Sequence, residues 1–180
     1  MSLRLNESPS FTNLRKLKAL YGKTFPREEK KPFSLMVQKR NEGLMEFLTV
    51  EDENGTFLGF IITVLHKDIV LLDYFAVAPK QRGNGIGAEA LKLLRERCRG
   101  KRILLEIEDP EEPAKNTEER LRRKAFYLRN GLEIMEYKVW LFGVKMLVLT
   151  VGGAVPFEEY HEIFGAVFSS YASQNVTLAE

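Results

Sequence analysis

The sequence predicts an α/β (α+β) domain spanning residues 1–180, in which a mixed central sheet of about seven strands is flanked by helices. Three observations carry that expectation. From Ser34 to Val77 apolar residues recur with period two, and the runs are broken by the turn residues "NEG", "DENG" and "KD". Residues 70–108 read as strand, glycine-rich turn, amphipathic helix and strand, a unit whose two strands run parallel. Beyond residue 116 come a second amphipathic helix, a hairpin and an aromatic-faced helix, with no repeat or low-complexity tract.

Taken in order, "FTNLRKLKALY" (11–21) places Leu14, Leu17 and Leu20 at helical spacing with lysines between them. Phe25-Pro26 interrupts that helix, and "REEKKP" reads as a polar turn or a second short helix. "SLMVQK" (34–39), "LMEFLTVE" (44–51), "FLGFIITVLH" (57–66) and "IVLLDYFAVA" (69–78) are expected as four strands. Their short connections, Asn54-Gly55 above all, make them antiparallel neighbours. After Pro79 a helix begins near Asn84, with Ile86, Ala90, Leu91, Leu94 and Cys98 on its apolar face and Gly100 at its end. "RILLEIE" (102–108) is a strand and "DPEEPAKN" (109–116) a loop. "TEERLRRKAFYLRN" is a helix capped by Asn116 or Thr117 and closed by Asn130-Gly131. "LEIMEYKVWLF" and "KMLVLTV" form a hairpin around Gly143. In "FEEYHEIFGAVFSSYA", Phe157, Tyr160, Ile163, Phe164, Val167, Phe168 and Tyr171 share one face. That face should cover the sheet; a homodimer contact is the alternative use.

Composition narrows the function. A hydrophobic content of 44% supports a sizeable core, and a net charge of +2 gives no reason to expect a nucleic-acid partner. The single cysteine, Cys98, excludes an internal disulfide and is expected as packing. With only His66 and His161 besides, both read as surface or rim residues, no metal is expected. No segment reaches the length of a membrane span, and Met1-Ser2-Leu3 does not begin a signal peptide, so a cytoplasmic protein with no membrane partner is expected. Trp140 is expected to fill the core.

The informative stretch is "AVAPKQRGNGIGAEALKLL" (76–94), which suits an anion at the start of a helix. Gly83-Asn84-Gly85-Ile86-Gly87-Ala88 fits the dinucleotide pattern G-x-G-x-x-A, and Glu108 stands at the distance of a ribose-binding acid. Against that parse, Pro79, Lys80, Gln81 and Arg82 separate the strand from the first glycine, where a dinucleotide turn is tight. The preceding strands are also antiparallel. A P-loop is excluded, since no Gly-Lys-Ser/Thr is present. The other parse is Arg82-x-x-Gly85-x-Gly87. It leaves the first helical N–H groups pointing at a pyrophosphate, with Arg82 adding a charge-assisted contact.

These residues resemble the GNAT superfamily of N-acetyltransferases. Its strand–V-x-P-x-x-R-G-x-G-x-G–helix signature stands at Val77 to Gly87, and its aromatic–Tyr helix end with Asn-Gly stands at Ala125 to Leu132. "FPREE" (25–29) is similar to the family's early segment, and the order of elements is the family's. The resemblance implies a GNAT acyl-CoA N-acyltransferase fold and transfer of an acetyl group from acetyl-CoA to an amine. The acceptor would be a small molecule or a peptide. Cofactor contacts are implied for the backbone of Phe75, Ala76 and Val77 and for Arg82, Gly83, Asn84, Gly85, Ile86, Gly87 and Ala88, with the Val77 N–H polarising the thioester carbonyl. Tyr127 matches the family tyrosine that protonates the departing thiolate. Where many relatives have an asparagine seven residues before it, this chain has Arg120.

The acceptor must lose a proton, because an alkylamine with a pKa of about 10.4 is charged near neutrality. Glu106 and Glu108 share one face of their strand, and a mid-strand carboxylate among apolar neighbours is paired or functional. Glu106 ranks first as the base, Asp73 second and Glu108 third. Asp109, Glu111 and Glu112 could attract a cationic acceptor. No nucleophile is placed for a covalent acyl-enzyme, so direct transfer is expected, with a non-catalytic acyl-CoA-binding module as the alternative.

Overall fold

The segment expected as a strand at 34–39 is a helix, and two short strands appear that the pattern did not reveal. The computed structural model describes residues 2–180; Met1, counted in the expected domain, lies outside the described residues. In chain order come β1 (Leu3–Asn6), α1 (Phe11–Thr24), α2 (Phe33–Asn41), β2 (Met45–Asp52), β3 (Phe57–His66), β4 (Ile69–Val77) and α3 (Ile86–Arg97). They are followed by β5 (Arg102–Glu108), α4 (Thr117–Arg129), β6 (Glu133–Leu141), β7 (Val144–Val151), α5 (Phe157–Ile163), α6 (Ser170–Gln174) and β8 (Val176–Ala179). Among the described residues, eight strands form one mixed sheet in the order β1-β2-β3-β4-β5-β7-β6-β8, where about seven are expected.

The error at α2 has a local cause. Leu35, Met36 and Val37 make a short unbroken apolar run, which fits either period. Phe33, Met36 and Val37 stand at helical spacing, and Met36 is fully buried. Pro32 precedes the first turn, where a missing N–H breaks no bond. Lys39 and Arg40 complement the C-terminal end, and Gly43, at φ +76°, turns the chain out of the helix.

The chain divides into two compact units. The first comprises Met1–Leu65 and Leu72–Arg99. Here β1, β2 and β3 pair antiparallel, with Leu5 opposite Val50 and Phe47 opposite Ile62. Leu17, Leu20 and Tyr21 of α1 form its buried stripe, and Ile86, Ala90, Leu91 and Leu94 do the same for α3. Glu51 is a carboxylate buried in this unit. Hydrogen bonds from Thr49 (2.7 Å), Asn13 (2.8 Å), Arg4 (3.0 Å) and Asn6 (3.1 Å) tie β1, α1 and β2 to it.

The second unit comprises His66–Leu71 and Gly100–Glu180. The first three residues of β4 pair with β5 in parallel, from Ile69 opposite Arg102 to Leu71 opposite Leu104. β5 then pairs antiparallel with β7, which forms a hairpin with β6. The expected C-terminal helix is interrupted: α5 passes into a π-helical turn at Phe164–Phe168 before α6. Tyr160, Ile163, Phe164 and Val167 are buried, whereas Tyr171 is 67% exposed. Trp140, expected in the core, is instead 39% exposed with the Lys145 ammonium 5.8 Å from its ring. It lies on β6, second from the sheet edge between β7 and four-residue β8, where part of the ring stays exposed.

Candidate functional site

In the first unit the residues singled out lie along the end of β4 and the turn into α3. Phe75 and Val77 are half-buried and Ala76 is buried. Their position depends on Gly59 of β3. A Cβ there would stand 2.5 Å from the Ala76 carbonyl oxygen, closer than side chains come, and a tight 3.1 Å from the Val77 Cα. An isolated glycine inside an apolar strand is the signal that could have flagged it.

After Val77 the chain makes a short 3-10 turn at Pro79–Gln81, and Arg82 reaches back so that its Nε–H donates to the Val77 carbonyl oxygen at 3.3 Å. Gly83 and Gly85 then adopt left-handed backbone, at φ +84° and +73°. Around both, the direction a Cβ would take is open space, so torsion and not crowding selects glycine. Gly85 is the N-cap of α3, which starts two residues later than expected, and the N–H groups of Ile86, Gly87 and Ala88 fall in its first turn. Arg82 and Asn84 are exposed. The feature presents backbone donors, one guanidinium and the positive end of a helix, a set suited to phosphate oxygens.

Asp73 of β4 is engaged elsewhere. Both its oxygens accept from the Lys31 ammonium at 2.9 Å, and its side chain is only 6% exposed. The Tyr74 hydroxyl accepts from the Lys31 amide (3.0 Å) and donates to the Glu29 carbonyl (2.7 Å). The "FPREE" segment is thereby tied to β4.

In the second unit, Glu106 and Glu108 have different surroundings although they share a strand face. Glu108, 7% exposed, is clamped by Arg120 and by Arg123 (3.5 Å) from α4. This gives a structural reason for the arginine at 120: it neutralises a buried carboxylate, and its Nη1 also donates to the Asp109 carbonyl (3.1 Å). Glu106 is half-buried opposite Val148, and its Oε1 accepts from the hydroxyl of fully buried Tyr160 at 2.9 Å. Sequence reading placed Tyr160 on an apolar face and missed this bond.

Tyr127 sits in the last turn of α4, 8% exposed and edge-on to Phe126. Burial pushes its phenol up to about 12, with Arg123 opposing weakly, so the hydroxyl keeps its proton across the neutral range. The acids of the loop 109–116 do not present a loose negative surface. Lys138 holds Asp109 (2.8 Å) and Glu111 (2.7 Å), and Lys145 holds Glu112 (3.2 Å). Burial pushes the Asp109 carboxyl up, but Lys138 and the Glu111 amide more than offset this and hold it below its usual range. His161 bonds the Ser173 carbonyl at 2.9 Å, and Cys98 is buried. Among the described residues no group of three or more His, Cys, Asp or Glu could hold a metal ion, and no helix is long and apolar enough to cross a membrane.

The family model described as "Acetyltransferase (GNAT) family" matches residues 14–127. No curated protein matches the sequence. Among solved structures, a protein described as a GNAT-family acetyltransferase from Bacteroides thetaiotaomicron is similar in fold, with a TM-score of 0.76 and 20% identity over 96% of this chain and 99% of that one. Spermidine N-acetyltransferase from Vibrio cholerae, in complex with CoA and spermine, gives 0.63 at 13% identity over 83% and 94%. A GNAT-family protein from Desulfovibrio desulfuricans gives 0.62 at 16% identity over 83% and 97%. At such identities the likeness shows the fold, and it agrees with the family match, which spans both the glycine turn and Tyr127. The chain belongs to the GNAT family of acetyltransferases.

Proposed function

We propose that this chain, acting as a single domain, transfers an acetyl group from acetyl-CoA to a primary amine by direct attack, without a covalent acyl-enzyme. The observation that carries the reading is the turn of Gly83 and Gly85, left-handed and open on its Cβ side, leading into the first N–H groups of α3. Acetyl-CoA, the acyl donor of the family, fits that donor set through its pyrophosphate and supplies an activated acyl carbon. Arg82 and the amides from Gly83 to Ala88 hold the phosphates. The backbone of Phe75, Ala76 and Val77 holds the pantetheine arm, and the Val77 N–H donates to the acyl oxygen as it gains charge.

Glu106 is the base. It takes a proton from the acceptor ammonium, so that the nitrogen lone pair can form the new C–N bond while the C–S pair leaves with sulfur. Tyr127, which burial keeps protonated, donates to that thiolate, and the second proton shed by the acylated nitrogen restores the phenol, directly or through water. Asp73 ranks behind Glu106 because the Lys31 ammonium already holds both its oxygens.

Calorimetric titration with acetyl-CoA, CoA and NAD comes first. Micromolar binding of the two CoA species with none for NAD is the expected result, and binding of NAD alone would overturn the reading. Thiol release is then followed with spermidine, kanamycin and a lysine-containing peptide. Spermidine enters because the similar Vibrio cholerae protein is named for it. Double-reciprocal plots that intersect, not parallel ones, are expected for direct transfer.

A further inference from the structure

We infer that Asn130 is a positioning residue for catalysis: by donating from Nδ2 to the Phe126 carbonyl it locks the last turn of α4, and with it the phenol of Tyr127. The inference rests on the proposed role of Tyr127 as the acid that protonates the thiolate. A tyrosine in the last turn of a helix is poorly placed for that task. The final carbonyls of a helix have no partner within it, so the turn frays and carries its side chains with it. An acid that must meet one sulfur atom needs that end closed.

In α4 the carbonyls around Tyr127 are all taken. The Asn130 amide donates to the carbonyls of Phe126 (3.2 Å) and Tyr127 (3.1 Å), the Gly131 amide to Leu128 (3.1 Å) and the Leu132 amide to Tyr127 (3.2 Å). Gly131, at φ +85°, turns the chain back to make this closure. The pattern is a Schellman motif whose outermost bond lands on Tyr127, and Leu132, only 4% exposed, is the apolar residue that such a motif buries. α2 ends in the same backbone pattern: Gly43, at φ +76°, donates to the Arg40 carbonyl, and the Leu44 amide donates to Lys39. There the closure lands on a lysine, Leu44 is only half-buried, and the cap residue, Glu42, accepts from the side chains of Gln38 and Lys39. At α4 the cap residue gives its side chain to the helix end instead, with Nδ2 of Asn130 2.8 Å from the Phe126 carbonyl oxygen. Phe126 is also the residue whose ring meets that of Tyr127 edge-on at 5.2 Å. The added bond therefore falls on the backbone that carries both rings.

The test compares wild type, Asn130→Ala, Tyr127→Phe and the double variant. Two readouts are used: thiol release from acetyl-CoA with the mixture of spermidine, kanamycin and lysine peptide, and hydrogen exchange of the Leu132 amide by NMR. Asn130→Ala is expected to lower kcat about three- to tenfold with the KM for acetyl-CoA unchanged. It should also speed exchange of the Leu132 amide by about fivefold or more. In the Tyr127→Phe background the same change should alter kcat by less than about twofold, because the phenol it positions is gone, while the faster exchange persists. Asn130→Asp keeps the size and the acceptor oxygen of the side chain and removes the donor. It is expected to match Asn130→Ala, and it carries the test if that variant does not fold. If the loss of kcat recurs in full in the Tyr127→Phe background, or if both Asn130 variants keep wild-type kcat, Asn130 is a structural cap only and the inference is overturned. If Tyr127→Phe keeps wild-type kcat, or the mixture is not turned over, the acid assignment falls and takes this inference with it.

Discussion

Asp73 on β4 and Glu106 on β5 are both mid-strand carboxylates, one in each unit of the molecule, and they are held by opposite means. Asp73 receives an ammonium on both oxygens, and that ammonium also lies 5.2 Å from the Tyr74 ring, so the acid is part of the cement between the 27–31 segment and the sheet. Glu106 receives a neutral phenol from α5. Burial alone does not distinguish the two; these partners do, an ammonium on both oxygens of Asp73 and a phenol hydroxyl on Oε1 of Glu106.

That contrast can be broken at its strongest point first. Glu106→Gln should lower kcat by about two to four orders of magnitude near neutral pH, with acetyl-CoA binding by calorimetry unchanged. Asp73→Asn should instead leave kcat within about threefold of wild type while costing about 1–3 kcal/mol of stability in urea unfolding, since it takes the carboxylate away from a partly buried lysine. Equal catalytic losses in the two variants would erase the distinction. Gly85→Val should weaken acetyl-CoA more than about tenfold in the same calorimetric assay, because a β-branched residue resists φ +73° and distorts the N-cap of α3. Tyr127→Phe should lower kcat about tenfold and leave that affinity alone.

The smallest effect sharpens the comparison with a third carboxylate. Burial pushes Glu51 up, but hydrogen bonds from Thr49, Asn13, Arg4 and Asn6 outweigh it and hold its carboxyl below the ordinary glutamate value of 4.5. A depressed folded-state value means that the ionised form stabilises the fold above the unfolded value, and that this stability is lost as the pH falls through the folded one. The gap in Tm between wild type and Glu51→Gln should therefore narrow as the pH is lowered below about 4.5.

What the sequence could reveal followed the range of the physics. The turn at Gly83 and Gly85 was legible because left-handed torsion is a demand each glycine meets by itself. The helices at 86–97 and 117–129 and the parallel pairing of β4 with β5 followed from periodicity and connection length. The helix at 33–41 was misread because three apolar residues in a row carry no period, and β1 and β8, at four residues each, are too short to show one. Trp140 was misplaced because a ring on an outer strand looks the same in sequence as one in the core. The bond between Tyr160 and Glu106 spans 54 residues. Periodicity told which face each residue occupies, but not which face would meet it.

Gly59 has a consequence for inherited and laboratory variation. Its role is to be absent: the place its side chain would fill is taken by the main chain at Ala76. A change to alanine alters no atom of the residues assigned to the chemistry, yet its methyl meets the Ala76 carbonyl oxygen and the Val77 Cα and wedges β3 away from the stretch of β4 that carries Phe75, Ala76 and Val77. Such an allele would lose acetyl-CoA affinity and thermal stability together. A survey that looked only for side chains reaching the substrate would pass over position 59.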